Sequence, residues 1–231
     1  QPKDKELAEL AARYNLPLID DVGSGMLLPV AAPNWQEPTI REKIAAGVDV
    51  VTFSGDKLLG AGQAGIIIGK KKYLEKIKKH PLLRAVRIDK LSLAALEGTL
   101  MDYLIGNPLN DVPALAMLNA SREELRAKAE KLARMLKDRL KEFNWEIAVQ
   151  QIISQAGGGS LPGVELVSFG AVVRHRGISA AKLEALLRKA AIPIIARVED
   201  ERVLFDVRCL TDKDMDIICQ ACQTIAEGAK Q

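Results

Sequence analysis

The chain has 231 residues, 48% of them hydrophobic and 27% charged, and a net charge of +3 at pH 7. This composition is typical of a globular protein with a substantial core and one or two domains, and it excludes a disordered or fibrous chain. No apolar run approaches the roughly 18 residues of a membrane span, and the first residues lack the features of a signal peptide. We therefore expect a cytoplasmic protein with no membrane partner.

The first half of the chain predicts alternating helices and strands. Helices are expected over residues 5–14, 38–46, 72–79 and 91–105, and strands over 18–21, 48–53 and 64–68. Pro38 is expected to begin the second helix, and the fourth helix should be well packed. Alternation of this kind predicts a mostly parallel sheet covered by helices, in which ligands gather at the carboxyl ends of the strands.

The sequence changes character after residues 106–108 (G-N-P), and we place a domain boundary between residues 107 and 108. Ser121 and Glu124 form a capping-box pattern that begins a helix extending to about residue 142. Strands are expected over 146–153, 164–175, 194–198 and 202–207, and helices over 179–190 and 212–227. Residues 108–231 are therefore expected to form a small α+β domain.

The pair Cys219 and Cys222 has the C-x-x-C spacing of some metal and redox sites. It lies inside a predicted helix, no second pair accompanies it, and Cys209 is the third cysteine of the chain. Two ligands do not make a structural zinc site, which takes four. We interpret both cysteines as core residues of a helix and expect no metal.

The segment from Lys70 to Lys90 carries nine basic residues and only two acidic ones. Such a segment attracts phosphate groups. It is equally typical of a solvated amphipathic helix in which Tyr73, Leu74 and Ile77 face inward. The two interpretations are compatible, and the sequence leaves both open.

An apolar predicted strand is followed by the residues S-G-D at 54–56, then by Lys57 and a glycine-rich segment. A lysine at the end of a buried strand can form a Schiff base with a carbonyl cofactor, and Ser54 would lie within reach of a phosphate. Pyridoxal phosphate combines an aldehyde with a phosphate. The alternative is an ordinary solvated loop lysine, so a second motif is needed.

That second motif is D-D-V-G-S-G at residues 20–25, another strand end followed by a glycine-rich turn. A pyridoxal enzyme needs an anion at the pyridine nitrogen, because a protonated ring is the better electron sink. Asp21 is the better candidate, since Asp20 would point to the other face of a strand. The alternative is that both acids only cap a helix or a turn.

Several segments carry a more specific pattern: 21–25 (D-V-G-S-G), 53–60 (F-S-G-D-K-L-L-G), 63–65 (Q-A-G) and 80–87 (H-P-L-L-R-A-V-R), with further matches at 89–97, 193–197 and 205–209. Together they closely resemble bacterial selenocysteine synthase, the L-seryl-tRNA(Sec) selenium transferase family, over nearly the whole chain. The resemblance implies the fold of fold-type-I pyridoxal phosphate transferases, with residues 1–107 as the C-terminal part of the large domain. It also implies a C-terminal fragment, preceded in the family by a tRNA-binding domain and the first part of the large domain.

Carried over residue by residue, the resemblance implies roles around the cofactor. Lys57 binds the cofactor aldehyde and then serves as acid and base, and Asp21 pairs with the pyridinium nitrogen. Ser54 and Ser24 are expected to contact the cofactor. Asp56, beside the lysine, departs from the histidine or aromatic residue often found there, and we expect it to take part in the elimination.

The resemblance assigns Arg84 and Arg87 to the selenium donor, selenophosphate. Guanidinium groups bind phosphate oxygens in a bidentate way that lysine cannot match. At a spacing of three residues both can face one pocket if the segment is helical. Arg197 and Arg208 resemble arginines that bind a free α-carboxylate in related enzymes, and we interpret both as structural.

The implied reaction converts seryl-tRNA(Sec) to selenocysteinyl-tRNA(Sec). The β-hydroxyl is eliminated to leave an aminoacrylyl intermediate on the tRNA, and selenium from selenophosphate then adds at Cβ. Family members form dimers that assemble into larger homo-oligomers. Two alternatives stay open: a related pyridoxal-dependent lyase that eliminates across Cα and Cβ of a free amino acid or amino sugar acid, and a non-catalytic fragment.

Overall fold

The computed structural model describes residues 4–30, 37–157 and 159–228, and the chain divides into two compact units. The first comprises residues 1–119 with 156–164, and the second 120–155 with 165–231. The first division falls after Asn119 rather than at the expected boundary of 107 and 108. The reason is that the helices over 108–119 bury Val112 and Leu115 and pack next to the helix before them.

The helices and strands described in the first unit are α1 (Asp4–Arg13), β1 (Ile19–Gly23), α2 (Ile40–Ala45), β2 (Val50–Ser54), β3 (Gly65–Gly69), α3 (Lys71–Lys78), α4 (Leu82–Ala85), α5 (Lys90–Ile105), α6 (Pro108–Asp111) and α7 (Pro113–Asn119). Seven of these ten lie close to the predicted positions, and the other three, α4, α6 and α7, were not predicted. Helix α2 begins later than expected, because Thr39 and Glu42 form a capping box that sets its first turn. Pro38 therefore precedes the helix cap instead of opening the helix.

The sheet of the first unit has the order β1-β2-β3 and is mixed. Strands β1 and β2 are parallel, as expected, whereas β2 and β3 are antiparallel. A parallel pair needs a crossover of about a dozen residues or more. Residues 55–64 make no such crossover, because the amide of Gly55 bonds to the carbonyl of Ala64 at 2.8 Å and closes the loop. The described sheet of this unit therefore combines the expected parallel pair with one antiparallel pair.

Helix α5 is present over the predicted range, but it is not well packed. Of its residues only Leu96 is buried, in a cluster with Ile40, Val51 and Phe53 of α2 and β2. Leu91 is 83% exposed, and other apolar side chains of the helix are exposed as well. An apolar sequence therefore predicted the helix correctly and its burial incorrectly.

The second unit contains α8 (Arg122–Leu140), β4 (Trp145–Ser154), β5 (Leu166–His175), α9 (Ala180–Arg188), β6 (Arg197–Glu199), β7 (Arg202–Asp206) and α10 (Asp212–Gly228). Its sheet has the order β4-β5-β7-β6 with antiparallel neighbours, and the capping box of Ser121 and Glu124 begins α8 as predicted. Cys219 and Cys222 are buried in α10 and belong to the core. Burial raises the pKa of Cys219 to about 11 and that of Cys222 to about 12, so both thiols stay protonated at neutral pH.

Candidate active site

The carboxyl ends of β1 and β2 lie side by side, because the two strands are parallel. Asp21 is the third residue of β1 and pairs in register with Thr52 of β2. A register shift after Asp21 brings Gly23 opposite Phe53. The chain segments that follow the two strands therefore leave the sheet at the same edge, where α/β proteins bind ligands.

Lys57 lies in the turn that follows β2, three residues beyond Ser54. Backbone hydrogen bonds close this turn on itself: the amide of Gly60 bonds to the carbonyl of Lys57 at 3.0 Å, and the amide of Ala61 to that of Gly55 at 2.8 Å. The side chain of Lys57 is half-buried. The loop therefore holds the backbone of the lysine in place and leaves its amine accessible.

The turns after β1 and β2 are in direct contact. The amide of Leu58 donates to the carbonyl of Ser24 at 2.9 Å. A Cβ atom at position 25 would lie 2.5 Å from the carbonyl oxygen of Ser54, and Gly25 has φ +75, so only glycine fits there. A Cβ atom at position 23 would lie 3.6 Å from Nζ of Lys57, which places the backbone of the D-V-G-S-G turn beside the lysine amine.

The two acids of β1 point to opposite faces, as expected. The carboxylate of Asp20 forms an ion pair of 2.8 Å with Lys43 of α2. The side chain of Asp21 is exposed, and its Oδ1 accepts a hydrogen bond of 2.8 Å from the hydroxyl of Thr52. Asp20 is therefore a structural residue, whereas Asp21 offers a carboxylate near the strand ends.

The other three residues predicted near the cofactor occupy different environments. Ser54 is the last residue of β2 and is half-buried, and Asp56 is exposed in the Lys57 turn. Ser24 is buried, and its hydroxyl donates a hydrogen bond of 2.6 Å to Glu37. The hydroxyl of Ser24 is thus engaged inside the protein, and its role toward a cofactor stays a prediction.

Arg84 and Arg87 lie outside the strand-end turns. Helix α4 contains Arg84 but ends at Ala85, so Arg87 lies beyond it and the helical spacing expected for the pair is not formed. The cause is the shortness of the helix, which has a single turn. Both side chains are exposed, and within the described ranges neither forms an ion pair.

Two contacts of the site lack a clear signal in the sequence. Thr52 reaches Asp21 only through the register of the two strands. The hydroxyl of Tyr103, on α5, donates a hydrogen bond of 3.0 Å to the carbonyl of Leu59 in the lysine turn. Burial raises the pKa of Tyr103 to about 12, so the phenol is a permanent donor at neutral pH. Both residues support the site from elements that sequence motifs do not connect.

Arg208 and Arg197 belong to the second unit, where their guanidinium groups bond to backbone. Nη2 of Arg208 donates to the carbonyl of Val167 at 2.7 Å, and Nη1 of Arg197 donates to the carbonyl of Ile153 at 3.0 Å. Arg208 is buried, and this burial lowers its pKa. Arg208 lies in a 3₁₀ turn that follows β7.

Within the ranges that the structure describes, no helix is long and apolar enough to cross a bilayer. The same residues contain no group of three or more acidic, histidine or cysteine side chains arranged to hold a metal ion.

Comparisons with known proteins identify the family of the chain. The sequence profile of the L-seryl-tRNA selenium transferase family matches residues 1–211. The L-seryl-tRNA(Sec) selenium transferase of Clostridium botulinum (strain Hall) is 43% identical over 94% of this chain and 47% of its own length. That of Geobacter sulfurreducens is 44% identical over 96% of this chain and 48% of its own length. The chain thus spans about half the length of the curated relatives it matches.

The whole chain superposes on a solved structure of D-glucosaminate-6-phosphate ammonia-lyase with a TM-score of 0.58. The matched region covers 55% of the lyase chain. Its sequence identity of 22% shows the fold alone, and it confirms the expected α/β fold class. The family profile, which matches residues 1–211, shows the family as well as the fold, and it confirms the resemblance drawn from the motifs. The chain belongs to the L-seryl-tRNA selenium transferase family.

Proposed function

We propose that this chain is part of a pyridoxal phosphate enzyme that converts seryl-tRNA(Sec) to selenocysteinyl-tRNA(Sec), with selenophosphate as the selenium donor. The observation that carries the proposal is the position of Lys57, whose amine lies beside the side-chain-free backbone of Gly23 at the carboxyl ends of β1 and β2. Membership of the family supplies the substrate class. Conversion in the cytoplasm, by an enzyme built from several copies of the full-length chain, is part of the proposal.

The residues at the strand ends fit a pyridoxal group. A half-buried lysine amine can bind an aldehyde, and the glycine opposite it leaves room for a flat ring. The exposed carboxylate of Asp21 can accept the N–H of a pyridinium. The hydroxyl of Ser54 can donate to a phosphate. The complementary glycine-rich phosphate loop is expected in the region of the family that precedes these residues.

Pyridoxal phosphate, when bound, withdraws electrons from Cα of the seryl group and so weakens its C–H bond and the bond from Cβ to the hydroxyl. Lys57 would hold the cofactor through its amine, and the same amine, once free, would take the proton from Cα. Asp21 would keep the ring nitrogen protonated. The β-hydroxyl would leave as water with the proton that Lys57 takes from Cα, and Asp56, exposed in the same turn, is the candidate to assist its departure.

Arg84 and Arg87 are proposed to bind the phosphate of selenophosphate. Their exposure leaves both guanidinium groups available for bidentate contacts with oxygen. Because Arg87 lies beyond α4, the direction of its side chain relative to that of Arg84 depends on the non-helical segment 86–89. Selenium of the bound selenophosphate would add at Cβ, in the position from which the hydroxyl departs, and Cα would take back a proton. The Se–P bond would then break by hydrolysis and release phosphate.

A lyase acting on a free amino acid or amino sugar acid has less support. The transferases are 43–44% identical to this chain, whereas the ammonia-lyase is 22% identical. A free carboxylate would also need a binding residue, and the guanidinium of Arg208 already bonds to the Val167 carbonyl.

The test is to add pyridoxal phosphate to the purified chain, record the visible spectrum, reduce with borohydride and map the modified peptide. The proposal expects an absorption band of lysine-bound cofactor and a label on Lys57 that is absent from the Lys57→Ala variant. A chain extended at its N-terminus to the length of the relatives should give the same label and convert seryl-tRNA(Sec) only when selenophosphate is present. A label on other lysines alone, in both chains, would overturn the cofactor assignment, and turnover of free serine without tRNA would favour the lyase.

A further inference from the structure

The first unit carries a one-sided basic surface on α3. Residues 70–90 hold nine basic side chains and two acidic ones, a local net charge of +7 in a chain whose overall net charge is +3. The rest of the chain is therefore slightly acidic. We call the exposed lysines of this helix and its C-terminal cap the α3 lysine face: Lys71, Lys72, Lys76, Lys78 and Lys79.

The helix presents these lysines to solvent because its apolar side is occupied. Tyr73, Leu74 and Ile77 are half-buried, and α3 packs on β3. In a helix with 3.6 residues per turn, Lys72, Lys76 and Lys79 form one stripe, with the second and third about 6 Å and about 10 Å beyond the first. The stripe is a row of positive charges along a rigid support.

The acidic residues near the face neutralise little of its charge. Glu75 pairs with Lys78 at 3.7 Å, and Asp89 is engaged at its own helix, where it caps α5 by accepting from the amides of Leu91 and Ser92. Within the ranges that the structure describes, Lys72, Lys76 and Lys79 form no ion pair. The stripe is thus available to an external anion.

The α3 lysine face begins far from Lys57. Lys70, which precedes α3, forms an ion pair of 2.7 Å with Asp49, the residue before β2. Lys57 follows the other end of that strand, and a strand of five residues is about 16 Å long. A compact anion bound at Lys57 would not reach the start of α3. A ligand of both regions must extend along the unit and carry repeated negative charges.

We infer that the α3 lysine face binds the phosphate backbone of the tRNA whose seryl group reacts at Lys57. The inference rests on the proposed function for the identity of the RNA, and on the charge and position of the face for the contact itself. Lysines are point charges that bind phosphates without reading bases. The face therefore contributes affinity and orientation, and it does not distinguish one tRNA sequence from another.

The experiment measures binding of a fluorescently labelled, uncharged tRNA(Sec) transcript to the 231-residue chain by anisotropy, between 50 and about 200 mM KCl. The test variant is Lys72→Gln/Lys76→Gln/Lys79→Gln. The matched control is Lys137→Gln/Lys141→Gln/Lys189→Gln, which removes three exposed lysines from the second unit. A third variant, with arginine at 72, 76 and 79, keeps the charge and shows whether the helix tolerates substitution.

We expect the glutamine variant of the face to bind tRNA about tenfold or more weakly at 100 mM KCl, with the slope of log K against log salt reduced by about 2 to 3. The control and the arginine variant should stay within about twofold of the unmodified chain. Equal losses in the face and control variants would overturn the inference, because they would reflect net charge alone. Absence of tRNA binding at 50 mM KCl would overturn it as well.

An anionic membrane is the competing partner of a basic helix. If vesicles containing phosphatidylglycerol bind the chain and only that binding depends on the face, the RNA assignment is wrong. The binding measurements contain no pyridoxal phosphate, so they are independent of the label on Lys57. Failure of the cofactor test and failure of the RNA test are therefore distinguishable.

Discussion

The hydroxyl of Thr52 donates a hydrogen bond of 2.8 Å to Oδ1 of Asp21 across the parallel pair of β1 and β2. The bond fixes one oxygen of the carboxylate that we assign to the ring nitrogen. Because Thr52 would act through Asp21, it is a positioning residue, and its effect should appear in cofactor affinity.

The variant Thr52→Val should bind pyridoxal phosphate about fivefold more weakly, which corresponds to about 1 kcal/mol for an exposed hydrogen bond to a charged group. Titration of the visible band measures the affinity. Thr52→Ser retains the hydroxyl and should restore binding. Equal affinity of the valine variant and the unmodified chain would contradict a positioning role.

Tyr103 should stabilise the lysine turn. The variant Tyr103→Phe removes the hydrogen bond to the Leu59 carbonyl and should lower the free energy of unfolding by about 1 kcal/mol, measured with urea. Tyr14→Phe is a matched control, because Tyr14 is 71% exposed. If the two variants unfold at the same urea concentration, the Tyr103 bond does not contribute.

Tyr103 also makes the stability of the fold depend on pH in the alkaline range. The pKa of Tyr103 rises from 10.0 to about 12 because burial disfavours the phenolate. A raised acid pKa means that the folded state keeps a proton that the unfolded state loses, so this contribution is complete below pH 10 and is lost as pH rises from 10 to about 12. Absorbance titration should show one of the three tyrosines ionising late, and Tyr103→Phe should abolish that late phase. If the titration curve of Tyr103→Phe keeps the late phase, that phase does not belong to Tyr103.

Lys43 joins α1 and β1 through two carboxylates, with distances of 3.1 Å to Asp4 and 2.8 Å to Asp20. Partial burial lowers the pKa of Lys43, but hydrogen bonds and charge from Asp20 and Asp4 outweigh it and raise the pKa above 10.5. Its stabilising effect is therefore complete below pH 10.5 and is lost as pH rises through the folded-state value. Lys43→Met should lower stability by about 1 kcal/mol at pH 8, and the difference from the unmodified chain should shrink above pH 10.5. A difference that stays constant with pH would exclude these ion pairs as its source.

Arg208 should act in folding rather than in substrate binding. Arg208→Met leaves the Val167 carbonyl without its guanidinium donor and should lower the free energy of unfolding by about 2 kcal/mol. The variant Arg197→Met changes an exposed arginine that also bonds to a carbonyl, and its loss should be smaller. Cofactor labelling of Lys57 should survive both changes. A fully stable Arg208→Met chain that fails to bind free serine would favour the lyase alternative.

Much of the local structure could be predicted from the sequence. Capping patterns and apolar periodicity placed most helices and strands within a few residues, since these signals act over one or two turns, but they did not predict α4, α6 or α7. The sequence also predicted the opposite faces of Asp20 and Asp21, because side chains alternate along a strand. It did not predict the end of α4 before Arg87 or the exposure of Leu91, because both depend on what packs against the segment.

The sequence by itself determined the family, the strand-end motifs and the identity of Lys57 and Asp21 as candidate cofactor residues, because these are properties of residue type and spacing. Only the tertiary structure decided which groups meet: the antiparallel partner of β2, the bond from Thr52 to Asp21, the contact of Gly23 with Lys57, and the engagement of Ser24 by Glu37. The physical reason is that strand register and loop closure bring together residues more than ten positions apart, and no local pattern encodes those contacts.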